Sequence, residues 1–160
     1  MNKMPLKILS LVMSLLFIEI ANANELKTVV NPEHLANTTQ YGYSQATIAA
    51  AEAKTIYLAG QIGISEDGPN DFQSQVDRSF HNMKKVLEAA GGHVHNIVKI
   101  TLLIKDHDAK KLQYLVKKRR EFFGESPPAS TLIPVTALAL DSLYFEIDAI
   151  AVVHEGEKSH

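Results

Sequence analysis

The stretch Ser126-Pro127-Pro128-Ala129-Ser130-Thr131-Leu132-Ile133-Pro134-Val135 decides how the C-terminal half of this chain is built. It follows a helical pattern over residues 110–123 and precedes a strand pattern over residues 144–153. Proline fixes its own φ and pushes the preceding residue into an extended conformation. The chain must therefore leave a helix and enter a strand here. Because the backbone fixes the direction of side chains at such a transition, Ser130 is a candidate functional residue.

Residues 1–23 contain the three parts of a secretory signal peptide. Lys3 and Lys7 form a basic start, residues 8–18 are an apolar run, and Ala21-Asn22-Ala23 is a small-residue cleavage pattern. The apolar run is too short for a membrane span, which needs roughly 20 residues. An ordinary apolar N-terminal helix is the alternative. The pattern predicts cleavage after Ala23, a periplasmic or secreted protein with no membrane attachment, and a single domain at residues 24–160.

The composition excludes several classes of function. Cleavage would remove two lysines and one glutamate, which changes the formal net charge from −2 to −3. A weakly acidic domain is a poor binder of nucleic acid or anionic membranes. The chain has no cysteine, so disulfides, thiol nucleophiles and thiolate metal sites are excluded. We expect neither a cofactor nor a bound metal.

Hydrophobic periodicity predicts the order strand, strand, strand, helix, strand, helix, strand, strand. Residues 47–53 and 55–59 are predicted to pair as a hairpin. The order indicates an α+β fold with one mixed sheet of about six strands and two α-helices packed on one face. The other face is only half polar, which favours contact with partner subunits. Its expected residues include Thr101, Leu103, Tyr144 and Ile150.

Three groups of residues are candidates for chemistry. Glu146 and Asp148 share one face of the last strand, about 6–7 Å apart by strand rise, and either share acid/base work or simply face solvent. His93 and His95 suggest a metal site, but no third ligand is specified nearby. The basic run 117–120 is either the solvated C-terminal end of a helix or a patch for anions or RNA.

Several motifs in fixed order resemble the Rid (YjgF) family of reactive-intermediate imine deaminases. The resemblance covers residues 26–153. It rests on Tyr43-x-Gln45, Ala59-Gly60-Gln61-Ile62, residues 82–91, residues 97–106, Pro128-Ala129 and residues 145–152. It implies a chorismate-mutase-like fold and a homotrimer with a small-molecule ligand in each cleft between subunits.

The resemblance also implies roles for individual residues. Glu146 would position or activate the water that attacks an imine carbon, so it is the expected catalytic residue. Tyr43, Ala59, Gly60, Gln61 and Ser130 would bind the substrate. Ala59 stands where a serine is common in the family.

Ser130 stands where deaminating members carry an arginine that clamps the substrate carboxylate, so the chain resembles a branch that lacks this arginine. Serine offers one neutral hydroxyl where arginine offers a charged planar fork. Arg119 and Arg120 are expected to lie on a helix in the wrong place to substitute for it.

Two functions remain open at the level of the sequence. The first is hydrolysis of reactive imine or enamine intermediates, with standard 2-imino-acid deamination in doubt because of Ser130. The second is a non-catalytic trimer that binds a small metabolite or a protein client. The endoribonuclease role attached to some relatives is disfavoured by the acidic balance of the chain.

Overall fold

The computed structural model describes residues 25–154, which form six β-strands and two α-helices. The elements are, in chain order, β1 (Lys27–Val30), β2 (Ala46–Ala49), β3 (Lys54–Gln61), α1 (Phe72–Ala89), β4 (Ile97–Lys105), α2 (Ala109–Phe123), β5 (Ala129–Val135) and β6 (Phe145–Val153). The predicted order and the α+β class are confirmed. The predicted signal peptide lies outside the described residues.

Both helices begin at an aspartate cap. Asp71 Oδ1 accepts a hydrogen bond from Ser74 N at 3.1 Å, and Asp108 Oδ1 accepts one from Lys111 N at 2.7 Å. These bonds satisfy backbone donors that have no partner within the helix. They favour the ionised carboxylates, and so hold the pKa of both aspartates below its ordinary value.

The six strands are divided between two sheets. A four-stranded sheet has the order β3-β6-β4-β5, and β1 pairs with β2 in a separate antiparallel pair. β6 pairs antiparallel with both β3 and β4, whereas β4 and β5 are parallel. A parallel pair needs a long crossover, which α2 supplies. β5 is an edge strand and contains Pro134, which has no N–H to donate.

Two local expectations are wrong. The hairpin expected between residues 47–53 and 55–59 does not form, because β2 pairs with β1 and β3 pairs with β6. Tyr144, expected on the open face of the sheet, packs against the core, and its ring lies 5.4 Å from Lys111 Nζ. It precedes β6, so the alternation of that strand does not fix its direction.

The core lies between the two helices and one face of the four-stranded sheet. Phe80 and Met83 of α1 and Leu115 of α2 are fully buried against β4 and β6. Alternate residues of the two central strands face this layer, as the period of two predicts. The opposite face of the sheet has no covering element among residues 25–154 and carries both polar and apolar side chains. No helix within this range is both long enough and apolar enough to span a membrane.

Candidate functional site

Glu146 lies on the open face of the sheet beside an irregularity in β3. Leu58 pairs with Ala149 and Gln61 pairs with Ile147, so Ala59 and Gly60 both stand opposite one residue of β6. Such a β-bulge bends its strand and is common beside active sites. Gln61 Nε2 donates a hydrogen bond to Ala59 O at 3.1 Å across the bulge. We call Ala59, Gly60, Gln61 and Glu146 the acidic half-site.

Gly60 allows the Glu146 carboxylate to lie directly against the backbone of β3. A Cβ atom at Gly60 would overlap this carboxylate and stand only 2.7 Å from its Cδ. The side chain of Glu146 is half-buried, and among residues 25–154 it forms no hydrogen bond or ion pair within the chain. Its oxygen lone pairs are therefore free to accept hydrogen bonds from a ligand or a water molecule.

Tyr43 lies at the start of β5, on the other side of the molecule. Its neighbour Ser44 is buried, donates its hydroxyl to Pro127 O at 2.7 Å and donates its backbone N–H to Pro128 O at 2.9 Å. Ser44 also forms an isolated parallel bridge with Ala129. These bonds hold Tyr43 next to the residue that follows Ala129, which is Ser130.

Arg119 joins this second group. Its Nη1 donates to Ser130 Oγ at 3.3 Å, and its guanidinium lies 5.5 Å from the centre of the Tyr43 ring. Arg119 was expected on a helix in the wrong place to substitute for an arginine at position 130, but its guanidinium in fact reaches the Ser130 side chain. The short loop between α2 and β5, with its two prolines, brings the end of the helix back over the first residues of the strand. We call Tyr43, Arg119 and Ser130 the arginine half-site.

Gly42 makes this arrangement sterically possible. It ends the 3₁₀ turn Thr39–Tyr41 with φ +73°, a left-handed conformation that favours glycine. A Cβ atom at Gly42 would lie 2.7 Å from Arg119 Cβ and 2.9 Å from Arg120 N. The turn can therefore approach the backbone of α2 closely enough to bring Tyr43 over the guanidinium.

The two half-sites lie at different places on the four-stranded sheet. Gly60 is on the edge strand β3 and Ser130 is on the opposite edge strand β5, three strand spacings or about 14 Å away. Glu146 pairs with Leu103 on the open face, whereas Ser130 pairs with Ile100 on the face that the helices cover. One copy of the chain therefore does not bring the six predicted site residues into one pocket.

Asp148 is the residue of β6 opposite Ala59 and Gly60, so it lies beside the acidic half-site. The pair of His93 and His95 lies apart from both half-sites. Asp148 shares the face of Glu146, as predicted, but its charge acts on Lys99, whose Nζ donates to Thr131 Oγ1. The rings of His93 and His95 stack with centroids 5.6 Å apart and line a cavity of about 360 Å³. Among residues 25–154 no three side chains are grouped so that they could hold a metal ion.

Two buried cations were not expected from the sequence. Arg119 is only 4 % exposed, and it follows Leu115 and precedes Phe123 by four residues each, which places it on the buried stripe of α2. This four-residue spacing is the sequence signal that Arg119 faces the core. The signal is obscured because Arg119 lies within a run of basic residues. Lys27 is 6 % exposed and donates to Ile97 O at 3.2 Å and Ser126 O at 2.8 Å.

The sequence and the fold are both similar to those of known proteins. The family model described as endoribonuclease L-PSP matches residues 34–153. A RutC family protein from Pyrococcus horikoshii is 37 % identical over 114 residues, which cover 68 % of this chain and 85 % of that protein. The human 2-iminobutanoate/2-iminopropanoate deaminase is 31 % identical over 115 residues, 69 % of this chain and 79 % of the deaminase.

Solved structures agree with this relationship. A protein of unknown function of the conserved Rid family, YyfB from Yersinia pestis, aligns with a TM-score of 0.76 and 28 % identity. The alignment covers 81 % of this chain and all of that one. Because the family model matches most of the chain and the sheet and helices match those of solved members, the chain belongs to the Rid (YjgF) family, which includes 2-iminobutanoate/2-iminopropanoate deaminases.

Proposed function

We propose that this protein hydrolyses reactive imine or enamine intermediates, at clefts where the acidic half-site of one copy meets the arginine half-site of another in a homotrimer. The observation that carries the proposal is the Glu146 carboxylate, which lies against Gly60 at the bulge and has no partner among residues 25–154. Relatives of the same family are 2-iminobutanoate/2-iminopropanoate deaminases. Because the two half-sites are far apart in one copy, a second copy is needed to complete a pocket.

The chemistry requires one water molecule and one group that moves protons. Glu146 accepts a proton as the water oxygen bonds to the imine carbon, and the π electrons of the C=N bond move to nitrogen. Glu146 passes this proton to nitrogen, which gives a carbinolamine. It then takes the remaining hydroxyl proton as the C=O bond forms and passes it to nitrogen as the C–N bond breaks, so that ammonia leaves and a carbonyl remains. An enamine substrate first becomes the imine by gaining a proton on carbon and losing one from nitrogen.

The Glu146→Gln variant tests this role. An amide of the same shape cannot take a proton from water, so we expect ammonia release from freshly generated 2-iminobutanoate to fall by roughly 100-fold or more with the fold intact. Ammonia is measured for the wild type, for Glu146→Gln and for Glu52→Gln, at an exposed position in the turn before β3, as the matched control. Equal rates for wild type and Glu146→Gln would contradict the proposed mechanism.

The serine at position 130 favours a second function, a trimer that binds a small metabolite or a protein client without turnover. The Ser130→Arg variant separates the two. If the wild type releases no ammonia and Ser130→Arg gains activity, the chain is not a standard 2-imino-acid deaminase. If neither variant is active on any imine, the binding function replaces the enzymatic one.

The endoribonuclease description of the family model is not carried over to this chain. The basic run 117–120 is not a continuous patch, because Arg119 is buried and Lys118 Nζ pairs with Asp77 at 2.7 Å. A nucleic-acid surface requires several accessible cations on one face.

The export of the mature chain also remains a proposal, based on residues 1–23. N-terminal sequencing of periplasmic or secreted protein would test whether cleavage follows Ala23.

A further inference from the structure

Arg119 is a buried cation without a counterion. No carboxylate among residues 25–154 lies within ion-pair distance of its guanidinium, and the whole residue is only 4 % exposed. Buried charges in proteins are normally paired with an opposite charge, because removing an ion from water is costly. Arg119 therefore lacks the partner that its environment demands.

The hydrogen-bonding capacity of Arg119 is also largely unused. A guanidinium carries five N–H donors, and the described side-chain bond of Arg119 is the one from Nη1 to Ser130 Oγ. Its Nε is buried and has no hydrogen-bond partner in the part of the chain that the structure describes. A planar fork with free donors matches the two oxygens of a carboxylate.

The position of Arg119 gives this free capacity a direction. Its guanidinium is held between the ring of Tyr43 and the hydroxyl of Ser130, and both of these residues are half-buried at the edge strand β5. Ser130 is the second residue of that strand. A longer side chain there would occupy the space that the guanidinium now reaches. The small serine and the arginine on α2 are thus complementary in size.

We propose that Arg119 binds the carboxylate of the ligand in this site, so that the charge which residue 130 lacks is supplied from helix α2. The substrate class is then a 2-imino acid or another small carboxylate, with Ser130 and Tyr43 as positioning residues. This inference rests on the site proposed above. Its failure is nevertheless distinguishable from failure of the deaminase activity, because carboxylate binding is measured without turnover.

The experiment measures binding of 2-oxobutanoate and of its neutral amide, 2-oxobutanamide, to the full mature protein by calorimetry. We expect the wild type to bind the carboxylate roughly 10- to 100-fold more tightly than the amide, the range of charge-assisted hydrogen bonds. Arg119→Met, which keeps an unbranched apolar side chain, should lose this preference. Arg120→Gln, on the exposed neighbour, is the matched control and should keep it.

A rescue variant separates ligand binding from a merely structural role. Arg119→Met combined with Ser130→Arg should regain the carboxylate preference, because the charge returns to the same cleft from β5. A wild type that shows no preference for the carboxylate overturns the proposal, even if Arg119→Met does not fold. A folded Arg119→Met protein that keeps the preference overturns it as well.

The two proposals fail in different ways. If the wild type binds 2-oxobutanoate through Arg119 but releases ammonia from no imine, the cation site stands and the deaminase function does not. If the wild type hydrolyses imines but binds the carboxylate and the amide equally well, the deaminase function stands and Arg119 is structural.

Discussion

At the scale of single residues, the space available beside a side chain matters as much as its chemistry. Glu146 takes its position because Gly60 has no Cβ, and Tyr43 takes its position because Gly42 has none. In both places the missing Cβ atom of glycine leaves room for another side chain to lie directly against the backbone. A methyl group at either position should disturb the candidate site more than it disturbs the hydrophobic core.

The Gly60→Ala variant should therefore lose activity more than stability. The added Cβ overlaps the Glu146 carboxylate, and displacement of a catalytic group by about 1 Å can reduce the rate by roughly 100-fold. The unfolding midpoint should change little, because a flexible side chain can swing away. We would compare kcat/KM and thermal unfolding with Gly68→Ala, where the nearest atom to the new Cβ is 3.5 Å away. An unchanged rate in Gly60→Ala would contradict this picture.

The sequence identifies some of the candidate site residues and misses others for a physical reason. Tyr43, Gly60, Glu146 and Ser130 are recognisable by motif, and the structure places them in two half-sites. Arg119 is not recognisable, because its role depends on where the end of α2 lies relative to β5. That distance is set by the length of the loop and by its prolines, which a pattern of residue types does not convert into a position.

At the scale of elements, Lys27 connects three separate segments. It starts β1, and its Nζ bonds to the carbonyl of Ile97 at the start of β4 and to that of Ser126 in the loop before β5. Burial lowers the pKa of Lys27 from 10.5 to about 8, and the nearby Glu25 opposes the shift. The same loop leads into β5 and Ser130. The hydrogen bonds of Lys27 therefore also help to hold the arginine half-site in place.

The shifted pKa predicts how stability depends on pH. Between pH 8 and 10.5 the unfolded chain still holds the proton that native Lys27 has released, so the free energy of unfolding should rise with pH. We expect a gain of about 1 kcal/mol, less than the full shift because nearby solvent screens the charge. Urea unfolding at pH 7.5 and 10 measures it. Lys27→Met should lack this rise, and Lys54→Met, at an exposed position, should keep it.

The helices and central strands were predictable from periodicity, whereas the pairing of the first strands was not. The alternation in β6 is a local signal, and the structure confirms it. The choice of partner for β2 is a long-range one. It depends on whether residues 27–30 are available to pair, and nothing local to residues 47–59 contains that information.

At the scale of the whole molecule, the uncovered face of the four-stranded sheet is the main feature left without a partner. It presents Tyr57, which is 78 % exposed, and Ile133, which is 41 % exposed, beside Leu103 and Ile150. The sequence predicted a half-polar face from Thr101, Leu103, Tyr144 and Ile150. The structure places Tyr144 on the core side and adds the residues of the edge strands. A face of this kind favours association between copies.

Tyr57→Lys should therefore prevent the proposed homotrimer. A buried ammonium group without a counterion is unfavourable in an interface, so light scattering after gel filtration should show monomers where the wild type shows trimers. Loss of imine hydrolysis should accompany the loss of assembly while circular dichroism stays unchanged. Val86→Lys, at a 42 % exposed position on α1, is the matched control. A monomeric wild type would contradict the trimer directly.

The bulge in β3 and Pro134 in β5 have a further consequence for the two edges of the four-stranded sheet. A free strand edge is a template on which another chain can add a strand, and long runs of such addition produce aggregates. The bulge bends one edge, and proline removes a donor from the other. We therefore expect these two features to hinder copies of this chain from joining edge to edge into a continuous sheet, and so to oppose fibrous aggregation at high protein concentration.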